Sequence, residues 1–155
     1  MSENLYGDIR KGFTCSAFDL LHAGHILMLK EAKEQCDYLI VGLHNDPSFD
    51  RVGKNKPVQS IVERAIQIAA VKHVDEVVIY NTEQDLEDLL SILDIDVRIV
   101  GEEYRDKPLT GRAICVTREI EIYYNTRGHR FSSTELRKRT AAATPQQAEG
   151  KWSEP

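Results

Sequence analysis

The most constraining stretch of this chain is Tyr38-Leu39-Ile40-Val41-Gly42-Leu43, an uninterrupted apolar run bounded by Asp37 on one side and His44-Asn45-Asp46-Pro47 on the other. A strand with one face in water alternates apolar and polar residues, whereas an unbroken run suits a strand covered on both faces, as in a parallel sheet between layers of helix. A parallel neighbour requires a crossover of a dozen or more residues, usually helical. The chain supplies one upstream. Gly12 to Ser16 is a short β-prone run, and the segment between the two runs repeats Ile26, Leu27, Leu29 and Ala32 at helical spacing, with Gly24 near its start. The opening of the chain therefore reads β-α-β.

The alternation continues. Val62 to Val71 predicts a helix, Glu76 to Tyr80 a strand, Asp85 to Leu93 a helix with Leu86, Leu89, Leu90 and Leu93 on one face, and Val97 to Gly101 a strand. A polar loop spans Glu102 to Gly111, Arg112 to Thr117 fits neither period, and Glu119 to Tyr124 predicts a strand. A last helix opens near Ser132-Ser133-Thr134, where hydroxyls can cap it and Glu135 places an acid in the first turn. Such a sequence of elements builds an α/β domain, a doubly wound parallel sheet with ligands at the carboxyl ends of its strands. With 155 residues, 41% of them hydrophobic, the chain fills one domain of this kind and not two. We expect an N-terminal extension over 1–11, the domain over 12–139 and a polar tail over 140–155.

Charge and cysteine usage exclude several functions. No apolar run approaches the roughly 20 residues of a membrane span, and no basic-plus-apolar leader opens the chain, so the expected setting is cytoplasmic, away from membranes. A formal net charge of -5 argues against a surface that grips nucleic acid. Cys15, Cys36 and Cys115 are odd in number and scattered, which supports neither a disulfide framework nor a zinc site, and no protein-only metal site is expected.

Chemistry is expected where strands give way to helices, because helix N-termini offer free N–H groups and a positive dipole to anions. The first such junction is Phe18-Asp19-Leu20-Leu21-His22-Ala23-Gly24-His25. His22 and His25 fall three apart on one helical face, and Gly24 between them leaves room for phosphates. Their spacing and the lack of a nearby third ligand disfavour zinc. The second is Arg127-Gly128-His129-Arg130-Phe131-Ser132-Ser133-Thr134, whose hydroxyls and backbone amides can hold phosphates while Arg127 offers a bidentate fork. Basic residues also gather at Arg51, Lys54, Lys56, Arg64 and Lys72, and Gly101-Glu102-Glu103-Tyr104 follows the fourth strand, where a ribose or base can be met.

Phe18 to His25 resembles the F-D-x-x-H-x-G-H signature of the cytidylyltransferase-like nucleotidyltransferases. The likeness continues through Glu31-Ala32-Lys33, Asp37 to Val41, Glu63-Arg64, His73 to Val77, Asp96-Val97 with Gly101, and Ser132 to Thr134, in the order found in glycerol-3-phosphate cytidylyltransferases. What the resemblance implies is a Rossmann-like nucleotidyltransferase domain in which His22, His25, Lys54 and Arg127 are catalytic. It places Cys15, Ser16, Ala17, Phe18, Gly24, His25, Gly101, Glu103, Arg127, Ser132, Ser133 and Thr134 against the nucleotide, and Asp19, Asp46, Lys56, Arg64 and Lys72 against the second substrate. It further implies Mg²⁺ carried by the nucleotide, in-line attack by a substrate phosphate oxygen with loss of pyrophosphate, and a homodimer.

Two departures stand out: Ser16-Ala17 where relatives have G-T, and Gly128-His129-Arg130-Phe131 where they have T-E-G-I. Leu20-Leu21 favours CTP with an acceptor such as glycerol 3-phosphate. The alternative is ATP with a sugar phosphate such as heptose 1-phosphate, since sugar-phosphate adenylyltransferases share a similar F-D-x-L-H-A-G-H stretch. A third reading, prompted by the lost Gly-Thr pair, is a nucleotide-binding regulatory module with little catalysis. An aminoacyl-tRNA synthetase fragment fits worse, because the chain is acidic and lacks a K-M-S-K-S segment.

Overall fold

A computed structural model describes residues 8–126 and 128–143; Arg127, expected at the phosphate site, and 144–155 of the tail expected over 140–155 lie outside the described residues, while 140–143 of that tail are helical. Five strands, β1 (Lys11–Ser16), β2 (Tyr38–His44), β3 (Glu76–Tyr80), β4 (Val97–Gly101) and β5 (Glu121–Asn125), form one sheet in the order β3-β2-β1-β4-β5. Every pairing is parallel. The helices are α1 (Ala23–Glu34), α2 (Ile61–Ala69), α3 (Glu83–Ile92), α4 (Arg112–Thr117) and α5 (Ser133–Ala143). The doubly wound sheet expected from the alternation is therefore what forms.

Two buried clusters account for the layering. Leu29 and Ala32 of α1 and Ile68 of α2 pack with Leu39, Val41, Leu43, Val97 and Ile99 on one face. Leu86 and Leu90 of α3 and Cys115 of α4 pack with Phe13, Ile40 and Ile120 on the other. The odd and even positions of the apolar run 38–43 thus divide between two helical layers, and this is why the run does not alternate.

Local chemistry sets the boundaries. Ser60 and Glu63 make a reciprocal capping box at α2, and Thr82 with Asp85 another at α3, so both helices begin slightly earlier than their apolar periodicity indicates. The ambiguous segment is α4, opened by Gly111 at φ 76°. Glu119, expected to begin the last strand, is left-handed at φ 57°, and the Ile120 amide reaches back to the Cys115 carbonyl. That closure ends α4 and delays β5 to Glu121. At the amino end Lys11 is already in β1, and Arg10 pairs through its main chain with Asp37 and Tyr38, so the ordered domain reaches into the expected extension.

The order of the strands places the site. β1 is in register with β2 along its whole length, from Lys11↔Tyr38 to Ser16↔Leu43, but pairs with β4 only at Gly12↔Val97 and Phe13↔Arg98. Past Phe13 the two central strands separate. They do so where the winding reverses, and a crevice opens at their carboxyl ends.

Candidate functional site

That crevice is a cavity of about 490 Å³ lined by the ends of β1 and β4, the start of α1, the loop between β2 and α2, and the segment leading into α5. Its most ordered feature is the N-terminus of α1. His22 is the N-cap, and its Nδ1 accepts from the Gly24 amide at 3.0 Å. His25 Nδ1 in turn accepts from the His22 amide at 3.3 Å. This is a capping box in which two imidazoles replace the usual hydroxyl and carboxylate. The rings stack with centroids 3.9 Å apart, and Phe18, fully buried, meets His25 edge-on at 5.3 Å.

The box determines the tautomer. A ring nitrogen that accepts a backbone proton carries none, so in each neutral ring the proton sits on Nε2. The Nε2–H of His22 then donates to Ser133 Oγ at 3.2 Å, and the Ser133 hydroxyl donates to the Asp19 carbonyl at 3.4 Å. A Cβ at Gly24 would lie 2.9 Å from His22 Cε1, from His129 Cε1 and from the Phe131 carbonyl oxygen. Glycine lets the segment before α5 close over the helix start. The preceding loop carries two non-glycine residues at positive φ, Phe18 at 47° and Leu20 at 51°. Strain of this kind, about 1–3 kcal/mol per residue, persists where its surroundings over-determine it.

Asp19 supplies part of that determination. Its carboxylate accepts from the Val58 and Gln59 amides, each at 2.9 Å, and from Arg137 at 2.9 Å. Burial alone would raise its pKa, but the two amides and the arginine outweigh it and hold the carboxyl below its ordinary value. Asp19 lines the cavity, yet both its oxygens are committed to bracing.

The expected nucleotide residues Cys15, Ser16, Ala17, Phe18, Gly24, His25, Gly101, Glu103, Ser132, Ser133 and Thr134 all line this cavity, as do His22 and Lys54. Of the residues expected at the second substrate, only Asp19 does. Asp46 lies off the cavity and accepts from Ser48, and Lys56 and Lys72 are exposed elsewhere. Arg64 is 2% exposed and spends its guanidinium on the main-chain carbonyls of Ala17, His44, Asn45 and Gln59. It ties the ends of β1 and β2 to α2, a structural role in place of the expected contact.

Several lining residues were not singled out from sequence: His44, Tyr80, Glu83, Arg98, Thr110, His129 and Arg137. Arg98 had a visible signal, a charge inside the otherwise apolar strand Val97-Arg98-Ile99-Val100. Among the described residues, Asp19 pairs with Arg137 and Glu83 with Arg51 at 3.5 Å, so Lys54 and Arg98 face the cavity as cations without a carboxylate partner. Glu103 lines the cavity as well, so its cations, Arg51, Lys54, Arg98 and Arg137, outnumber its carboxylates, Asp19, Glu83 and Glu103, by one, a small positive excess in a chain of net charge -5.

His44, Asp50 and Glu83 bring potential metal-ligand atoms within 4.8 Å of one another. These groups are engaged: Glu83 accepts from Thr110 and pairs with Arg51, Asp50 accepts from the Glu83 amide, and His44 Nε2 meets the Asn81 carbonyl.

A family model described as cytidylyltransferase-like matches residues 13–139. Bifunctional HldE proteins are similar over part of the chain: that of Campylobacter jejuni serotype O:6 is 45% identical over 109 residues, covering 70% of this chain and 23% of that protein. That of Nitrobacter winogradskyi is 35% identical over 136 residues, covering 87% and 28%. The chain therefore spans about a quarter of the length of these relatives. Among solved structures, a lipopolysaccharide core biosynthesis protein from Thermoplasma volcanium superposes with a TM-score of 0.64 at 24% identity, over 77% of this chain and 98% of that one. Among the described residues, no helix is long and apolar enough to cross a membrane.

Proposed function

Because this chain belongs to the cytidylyltransferase-like family, and is thus a nucleotidyltransferase, we propose that it transfers AMP from ATP to the phosphate of a sugar phosphate such as heptose 1-phosphate. The observation that carries this choice over CTP and glycerol 3-phosphate is the identity of the relatives, HldE proteins at 35–45%. The motif supports it: Phe18 to His25 follows the F-D-x-L-H-A-G-H stretch of sugar-phosphate adenylyltransferases at every fixed position, Leu21 and Ala23 included. The expectation of CTP, which rested on Leu20-Leu21, gives way to the alternative.

In this reading the triphosphate lies over the N-terminus of α1, between the imidazole box and Ser132 to Thr134. The Nε2–H groups of His22 and His25 serve as donors to the charge that builds on the α-phosphoryl oxygens, and neither ring is a nucleophile. A phosphate oxygen of the sugar phosphate attacks the α-phosphorus, forming one P–O bond as the bond to pyrophosphate breaks. Mg²⁺ carried on the nucleotide offsets phosphate charge when bound. Lys54, exposed on the β2–α2 loop and lining the cavity, adds a positive charge. The homodimer implied by the resemblance and the cytoplasmic setting expected from the sequence complete the proposal.

The test is pyrophosphate release across a matrix of ATP, CTP, GTP and UTP against heptose 1-phosphate, other sugar 1-phosphates, glycerol 3-phosphate and phosphocholine. ATP with a sugar 1-phosphate should give the highest kcat/KM, and His25→Ala should lower it by about 10²-fold or more. A best pair of CTP with glycerol 3-phosphate would restore the cytidylyltransferase reading. Nucleotide binding without turnover for any pair would point to the regulatory module.

A further inference from the structure

Arg98 is 2% exposed, deep in β4 at the point where β1 and β4 part. Val97 and Ile99 face the layer of α1 and α2, so Arg98 faces the layer of α3 and α4, beneath the Thr110-Gly111 turn. Its Nη1 donates to the Thr110 carbonyl at 2.5 Å, and among the described residues its Nε has no partner. It makes no ion pair among the described residues, yet it borders the cavity together with Glu83, Arg51 and Thr110. Glu83 is held by Arg51 and by the Thr110 hydroxyl, and no ion pair joins it to Arg98 among the described residues. A buried guanidinium without a counter-charge is costly unless something else supplies the charge, and guanidinium geometry matches carboxylate and phosphate. A purely structural arginine in this chain looks different: Arg64, equally buried, donates from all three of its nitrogens, to four main-chain carbonyls.

We propose that Arg98 is the floor of an anion subsite on the α3/α4 side of the crevice, which takes an oxyanionic group, phosphoryl or carboxylate, of the acceptor substrate. Assigning the group to the acceptor rests on the nucleotidyl-transfer reading; the subsite itself does not. The imidazole box and Ser132 to Thr134 lie at the starts of α1 and α5, and Arg98 stands apart from both, across the sheet from α1. The subsite therefore lies away from the triphosphate of the proposed reading, and the acceptor is the substrate left to supply its anion.

The subsite can be tested without any nucleotide. The isotope-labelled full chain is titrated with inorganic phosphate and, separately, with acetate, following the Arg98 Nε–H resonance assigned by its absence in Arg98→Lys. The resonance should move saturably with at least one anion, and the movement should persist in His25→Ala. Phosphate alone points to a phosphoryl group, and acetate to a carboxylate. In parallel, Arg98→Met should melt at or above the wild-type temperature in anion-free buffer, and its rise in melting temperature on adding the anion should be smaller. A resonance that stays still with both anions overturns the proposal. So does an Arg98→Met variant that melts lower yet keeps the full response, since the arginine would then merely cap the Thr110 turn. Once a substrate pair is known, Arg98→Met should raise the acceptor KM by about tenfold or more and leave the nucleotide KM unchanged.

Discussion

At the start of α1 two histidines occupy positions where serine, threonine or aspartate would serve the helix alone. The imidazole satisfies the helix through Nδ1 and carries a separate N–H donor at Nε2, which in His22 meets the Ser133 hydroxyl. The two roles can therefore be separated by substitution. Asparagine is among the best N-cap residues, so His22→Asn should unfold within about 0.5 kcal/mol of the wild type in urea. It has no donor where Nε2 lies, and turnover should fall by roughly 10²-fold. Full turnover in a stably folded His22→Asn would remove His22 from the mechanism. Gly24→Ala probes the same place from the other side. Alanine favours helix by up to about 1 kcal/mol over glycine, but its Cβ would press at 2.9 Å on His22, His129 and the Phe131 carbonyl. The variant should keep its helix and lose nucleotide affinity, measured by calorimetric titration with ATP.

Between elements, the loop after β1 is held by Asp19, which joins it to the approach to α2 and to α5. The carboxyl has a folded pKa below its ordinary value, so its stabilisation is complete above the unfolded pKa of about 4 and is lost as pH falls through the folded value. Asp19→Asn should cost about 1–3 kcal/mol near neutral pH. The gap between wild-type and variant urea midpoints should hold from about pH 7 to pH 5 and close below about pH 4. A gap independent of pH down to acid unfolding would assign the effect to packing. At this scale the sequence was most legible. Unbroken apolar runs and helical periodicity located the sheet and helices, and the strand-end rule located the site. Asp19 and Arg64 are expected at the second substrate from their places beside motifs, and a charged residue there looks the same whether it faces a ligand or a ring of main-chain groups. Only the folded positions of the Val58 and Gln59 amides, and of the four carbonyls around Arg64, separate the two. Arg98 was passed over for the opposite reason. Along the chain it is one charge in an apolar strand, and its meaning comes from the separation of β1 and β4, which local pattern does not encode.

For the whole molecule, the site has one rigid wall and one lightly held wall. The rigid wall is the sheet with α1, whose strand ends are paired and whose side chains fill the core. The other is the segment from Gly128 into α5, a helix with no buried residue. Its described links to the rest include the Ser133 hydrogen bonds to His22 and Asp19 and the Arg137–Asp19 ion pair. Few buried contacts place an element at the low end of local stability. Amides of α5 should therefore exchange with solvent far faster than those of β2. ATP, held in the proposed reading between the α1 cap and Ser132 to Thr134, should slow exchange in α5 and raise global stability by about 2.7 kcal/mol at a hundred times its Kd. Arg137→Met should release the helix without touching the imidazole box. Exchange in α5 should then rise in the absence of nucleotide, and ATP should bind more weakly because it must order the helix without the Asp19 tether. Exchange in α5 as slow as in β2 before any nucleotide is added would show instead that the segment is already fixed, and that the cavity closes without the help of its ligand.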